Sequence, residues 1–183
     1  MAVIHCTRKL AQRLFGVSAA PIAEASALGS WHGHLVRFDR LQCVLFCHDD
    51  TRYCLFQPRL RAPQFADLGR WHRDLFLASL ATEGIADAVI ARADEMRGAP
   101  RFDTKTDRSV LASMNIALDD LAAHVADVAH ILELDPLRAS QQLNRRPARA
   151  HGKWLRPERA MREQVARLEA NLDHAMLPRP IDG

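Results

Sequence analysis

Three observations predict an α+β domain in which a small, mainly antiparallel sheet from the N-terminal third packs against several helices. Aromatic and aliphatic runs bounded by Asp-rich turns crowd residues 31–56, the signal of short strands and hairpins. From Phe65 onward the apolar residues recur at three- and four-residue steps, the helical period. The longest such stripe joins Leu111, Met114, Leu118, Leu121, Val125, Val128 and Leu132, and marks a long central helix near 107–134.

The elements follow in order. Val3–Thr7 is a short β-type run, and Leu10, Leu14 and Phe15 give Lys9–Phe15 helical spacing that stops at Gly16. Residues 17–30, rich in Ala, Ser, Gly and Pro, read as a loop. Strands are expected over Trp31–Phe38, Leu41–Cys47 and Thr51–Phe56, with turns at Asp39-Arg40 and His48-Asp49-Asp50. A two-residue turn at Asp49-Asp50 would set Arg52 opposite Cys47. The second and third strands hardly alternate with polar residues, so helices should cover the sheet. Phe65–Leu80 and Ile85–Met96 are helical, separated by Gly84, and Arg101-Phe102-Asp103 fits an edge strand. Asp135-Pro136 has the form of an N-cap with proline at the first helical position of a helix to about Asn144. A last helix should run from Pro157 to about Ala175, before Pro178 and Pro180.

The chain's 183 residues suit one domain over about 1–160, with a C-terminal helix and tail at 161–183 packed on it. With 48% hydrophobic and 26% charged residues the composition is globular and excludes global disorder. No stretch approaches the ~20 apolar residues of a membrane span. The cations Arg8 and Lys9 follow the apolar Met1–Ile4 run, which is not the order of a secretory leader, so a cytoplasmic setting is expected. Cys6, Cys43, Cys47 and Cys54 are then free thiols. The net charge of +3 hides an uneven distribution: +4 over residues 1–62, −5 over 63–134 and +4 over 135–183.

The most polar run of the central helix is its start, Lys105, Thr106, Asp107, Arg108 and Ser109. First-turn N–H groups lack internal partners and lie at the positive end of the helix dipole. Thr106 or Asp107 can cap them, or an anion flanked by Lys105 and Arg108 can bind there. The second candidate surface is basic: Arg145, Arg146, Arg149, Lys153 and Arg156, with Trp154 among them, suit a nucleic-acid backbone or an acidic partner. The cysteines lack metal-ligand spacing, so no metal or organic cofactor is expected. Cys6 or Cys47 with His48 is a formal nucleophile–base pair that nothing in the sequence orients.

Ile4-His5-Cys6-Thr7 and Thr106-Asp107-Arg108-Ser109-Val110-Leu111-Ala112-Ser113-Met114-Asn115 carry a resemblance. They resemble the opening strand and the Thr-Asn/Asp-Arg-Ser-Val-Leu-Gly-Ser-Met-Asn helix start of a bacterial domain family of unknown function. Cys43–Phe46 with Thr51-Arg52, and Leu143–Pro147, are similar as well, so the likeness spans about residues 1–160. Ala112 stands where the family has Gly. The resemblance implies one defined domain and brings no activity with it.

The resulting expectation is a binding or regulatory module that recognises an anionic partner, nucleic acid or acidic protein. Its surface would combine Lys105–Ser109 with Arg145–Arg156. An alternative is an enzyme acting on a phosphorylated or nucleotide substrate. Arg108 and Ser109 would then hold the anion, with His5, Asp107 or Asn115 as proton-transfer groups. A further alternative is an oligomeric structural protein whose acidic and basic segments meet between subunits. A concave pocket where these side chains converge would favour the enzyme, and a flat or convex basic face the binding module.

Overall fold

A computed structural model describes residues 1–23, 26–126 and 130–176, with side chains described as far as residue 168. Strand β1 (Val3–Cys6) leads into one helical turn, α1 (Arg8–Ala11), much shorter than the helix expected to Phe15. Leu10 is fully buried and Leu14 packs half-buried against the same core, but Phe15 is exposed and gives the helix nothing to extend for. Leu10 packs where β2 (Trp31–Phe38) has Gly33, since a Cβ on that glycine would come within 2.7 Å of Leu10 Cδ2.

Asp39 and Arg40 both take positive φ, 46° and 64°, forming the two-residue turn whose twist suits a hairpin. It joins β2 to β3 (Leu41–His48), and β4 (Cys54–Gln57) completes the meander. The second turn is longer than expected. His48 Nδ1 accepts the Thr51 N–H at 3.2 Å, the turn extends to Arg52, and the register moves by two residues. Cys54, not Arg52, therefore lies opposite Cys47.

The expected Phe65–Leu80 helix is two, α2 (Ala62–Ala66) and α3 (Leu68–Thr82), and α4 (Asp87–Arg97) follows. The edge strand is present as β5 (Arg101–Asp103), paired parallel to β1. The sheet order is β4-β3-β2-β1-β5; the long β2–β3–β4 pairings are antiparallel, and β1 runs parallel to both its neighbours.

The central helix α5 is shorter than the expected 107–134, running Arg108–Ala126; residues 127–129, Val128 among them, lie outside the described residues. A 3-10 turn at Ile131–Glu133 follows, and it buries Ile131 and exposes Leu132, reversing the expected stripe. Asp135 caps α6 (Pro136–Asn144) by accepting from Leu137 N–H at 2.9 Å, as its sequence suggests. The basic loop contains an unforeseen hairpin, β6 (Ala148–Ala150) and β7 (Lys153–Leu155), turned at His151-Gly152 with φ of 49° and 78°. Helix α7 (Pro157–Met176) closes the chain, with Met161, Val165 and Leu168 buried in the core.

Because neighbouring residues on a strand face opposite ways, the sheet has two apolar faces. Ile4, Cys6, Val44, Phe46 and Leu55 meet α3, α4 and α7. Cys43, Leu45, Cys47, Cys54 and Phe56 meet α5 and α6. Helices thus cover both faces, as the apolar strands require.

The outer edge of β4 is closed by side chains of α6. Asn144 accepts from Cys54 N–H at 2.6 Å and donates to Cys54 C=O at 2.9 Å, while Ser140 Oγ accepts from Phe56 N–H at 3.0 Å. An otherwise unpaired strand edge is thereby satisfied inside the protein. Asn144→Ala leaves two buried backbone groups without partners and should cost on the order of 2–4 kcal/mol. The expected readout is a lower urea midpoint with an unchanged slope.

On the other face, His72 of α3 sits among Trp31, Phe46 and Phe76, and its Nδ1 accepts from Arg97 Nη2 at 2.7 Å. Burial, with Arg97 beside it, holds His72 well below the ordinary imidazole value of 6.5. The native state keeps it neutral while the unfolded chain takes up a proton. Stability is therefore full above about pH 6.5 and falls as pH drops below it, by up to about 1.4 kcal/mol per pH unit for this group. Urea unfolding from pH 7.5 to 5 should show that acid limb, and His72→Gln should make it shallower, leaving the part due to His48 and His34, which burial also lowers.

Candidate functional site

Register places Cys54, Cys47, His32, His5 and Asp103 in one row across five strands. The cysteine end of the row is covered by α5 and α6. The other end opens, beyond the N-terminus of α5, into a cleft of about 500 Å³. The carboxyl ends of β1 and β5 lie here, where open sheets usually leave a crevice.

Asp103 anchors the row. It is fully buried, and its carboxylate accepts from His5 Nδ1 at 2.6 Å, Lys105 N–H at 3.1 Å and Ile22 N–H at 2.8 Å. With Nδ1 committed, His5 presents Nε2 towards the cleft, 3.9 Å from Asp49 Oδ2. The other oxygen of Asp49 accepts from His32 Nδ1 at 2.7 Å. His32 Nε2 in turn accepts the Asp107 N–H at 2.8 Å, so His32 is neutral, protonated on Nδ1. The two imidazoles are 5.1 Å apart.

Asp107 caps α5. Its Oδ1 accepts from Ser109 N–H at 2.7 Å and Val110 N–H at 3.1 Å. These bonds, led by Val110 and aided by Arg52 and His32, hold its carboxyl below the usual carboxylate range. The first-turn donors that an anion would need are therefore occupied, and Arg108, exposed, is not part of the cleft wall.

The buried cation at the cleft is instead Arg52. It lies in the left-handed region at φ 57° and is 3% exposed. Its Nη2 donates to Ser109 Oγ at 2.8 Å and its Nε to Arg149 C=O at 3.4 Å. Its Nη1 is buried with no partner, and it forms no ion pair with a carboxylate among the described residues. His48 holds this turn in place: buried, it donates from Nε2 to Leu28 C=O and accepts from Thr51 Oγ1 on Nδ1.

The structure brings Lys105, Asp107 and Ser109 to the cleft with His5, and leaves Thr106 and Arg108 outside its wall. Asn115 is exposed further along α5 and also stands apart. Among the basic candidates, Arg145, Arg149, Lys153, Trp154 and Arg156 are exposed, whereas Arg146 pairs with Asp120 of α5. The tip of their hairpin reaches the cleft through His151, which bonds Asp50 at 3.1 Å. The formal cysteine–histidine pairs fail. Burial and Asp103 push the Cys6 thiol up to about 12, Cys54 and burial push Cys47 up as well, and His48 is spent on backbone and Thr51. All four cysteines are free and buried. No group of three or more His, Cys, Asp or Glu among the described residues is placed to hold a metal ion. No helix among them is long and apolar enough to cross a membrane.

Asp49, Arg52 and Asp103 are site residues that the sequence does not mark, and His32, which with His34 reads there only as a solvated or hydrogen-bonded histidine, joins them. The pair His32-Gly33-His34 and the Asp103 that ends an edge strand before a helix start were visible; the register that joins them was not.

Fold and site together define an α+β domain with a polar cleft at the ends of parallel strands. A domain family of unknown function, DUF6933, matches residues 3–160, and the chain belongs to it. No curated protein matches the chain.

The hydrogen bonds fix an unusual pair of tautomers. At pH 8, long-range proton–nitrogen correlation spectra should show His32 protonated on Nδ1, and neutral His5 likewise. Asp103→Asn should release His5 to a tautomer mixture and leave His32 unchanged.

Proposed function

We propose that the protein is an enzyme that binds an anionic small molecule in this cleft and moves a proton to or from it through Nε2 of His5. The observation that carries the reading is the buried Asp103–His5 pair at the floor of a concave site. Such a carboxylate fixes the imidazole tautomer and stabilises the imidazolium formed when Nε2 takes a proton. Arg52 supplies the anion contact. A buried guanidinium with an unused donor and no carboxylate partner is satisfied by a phosphate or carboxylate oxygen. Lys105 adds charge at the rim. The cleft's carboxylates are largely engaged, Asp49 by His32, Asp50 by His151 and Asp107 by the helix start. The proposed setting is the cytoplasm, where four free thiols persist.

A second reading, a regulatory module for nucleic acid or an acidic protein, draws on the exposed Arg145, Arg149, Lys153 and Arg156 beside Trp154. The concavity of the His5 site favours the enzyme.

Inorganic phosphate titrated into the protein should move the His5 and Arg52 side-chain resonances, and Arg52→Gln should weaken its binding about tenfold or more. Arg52→Lys, which keeps the charge, should fall between. On whichever phosphate or carboxylate ester of a substrate panel is turned over, His5→Gln should lower kcat about 10²- to 10⁴-fold with little change in phosphate affinity. Equal phosphate binding by wild type and Arg52→Gln, or an undiminished kcat in His5→Gln, would overturn the reading.

A further inference from the structure

A second depression adjoins the cleft. It is a groove of about 330 Å³ between α5 and the β6–β7 hairpin, walled by Ala112 and Ile116 on one side and Pro147 and Trp154 on the other. Ile116 is 59% exposed and Trp154 74% exposed. Two large apolar side chains left in water on either side of one groove are the mark of a surface that something apolar covers. The volume suits a single ring system and not a helix or a strand.

Groove and cleft share a rim made of Ser109, His151 and Gly152. Arg52 lies against that rim, bonded to Ser109 Oγ on one side and Arg149 C=O on the other, and both of those residues also line the groove. An anion held by Arg52 would therefore lie across that rim from the groove that Trp154 walls. Arg149 is the direct cross-strand partner of Trp154, is exposed, and has no ion pair among the described residues. The rim itself is polar, with the Ser109 hydroxyl and the His151 imidazole. Apolar groove, polar rim and unpartnered buried cation thus succeed one another along one path.

We infer that the ligand of this site is a nucleoside phosphate, its phosphate at Arg52, its sugar across the Ser109–Gly152 rim and its base in the groove against Trp154. The inference rests on the anion reading above. It adds the ring, and with it a substrate class. A flat, sequence-tolerant stack on an exposed indole is the ordinary way a protein holds a base, and a neighbouring arginine strengthens it. The same chemistry is offered by a free mononucleotide and by a nucleotide within a single strand.

The test compares six probes by calorimetry on the whole chain: inorganic phosphate, ribose 5-phosphate, adenosine, AMP, UMP and a short single-stranded oligonucleotide. Either mononucleotide should bind roughly five- to a hundredfold more tightly than ribose 5-phosphate, the range expected for one base stack. Trp154→Ala should erase that preference and leave inorganic phosphate binding unchanged, while Trp154→Phe should keep most of it. Trp154 is exposed, so both variants should fold, and unchanged thermal unfolding checks this. Ribose 5-phosphate binding as tightly as AMP and UMP, or a preference that survives Trp154→Ala, would overturn the base subsite while leaving the anion reading intact. Failure of every phosphate probe would overturn both. Given the preference, an oligonucleotide that outbinds the mononucleotides marks a nucleic-acid substrate, and one that does not marks a free nucleotide.

Discussion

One buried carboxylate holds the functional end of this molecule together. Asp103 has no access to water, so it must find all its partners within the protein, and each comes from a different part of the chain. His5 comes from the first strand, the Ile22 N–H from the long loop, and the Lys105 N–H from the approach to α5. Ser18 also bridges to β5 at this residue. The loop over residues 17–23 is thereby tied to the sheet edge, and its far end forms part of the cleft wall. Without the carboxylate, the imidazole of His5 would have no reason to hold one orientation, and the loop would lose its attachment to β5.

Arg52 answers a different constraint. Its backbone is held in a region that non-glycine residues enter at a cost of the order of 1–3 kcal/mol, in a turn fixed by the buried ring of His48. That geometry carries a charged side chain under the hairpin, where it meets a hydroxyl and a carbonyl but no carboxylate. Stability alone does not call for such an arrangement: Asp107 acts on Arg52 only through space, and a buried cation without a directly paired carboxylate is expensive. Surrounding carboxylates exist, but each is engaged elsewhere: Asp49 turns to His32, and Asp107 to the first turn of its own helix.

Local signals in the sequence were strong where structure is local. The β2–β3 hairpin, the Asp135-Pro136 cap, the edge strand at Arg101–Asp103 and the helical second half all follow from turn chemistry and periodicity. Errors arose where a distant contact decides. His48 lengthens a turn that reads as two residues, because its ring reaches Leu28 and Thr51 at once. The helical period carries the α5 stripe through Leu132, which the chain exposes in favour of Ile131. His5 was visible as a polar candidate. Its partners were not, because parallel pairing of β1 with both β2 and β5 sets the row of His32, His5 and Asp103, and no local pattern encodes that register. Arg52 reads as a strand residue opposite Cys47, whereas the structure puts it in the turn, with its side chain bonded to Ser109 and the β6–β7 hairpin.

The span of the cleft has a consequence for biogenesis. Its wall draws on His5 near the start of the chain and on Gly152 near its end. The same final third supplies Ser140 and Asn144, which seal the open margin of β4. A nascent chain emerging from the ribosome can therefore complete its meander early, yet it carries an unsealed strand and an unfinished cleft until α6 and the hairpin have been synthesised. Interruption of translation before that point leaves the backbone groups of β4 without their Asn144 and Ser140 partners and the cleft without its His151–Gly152 wall.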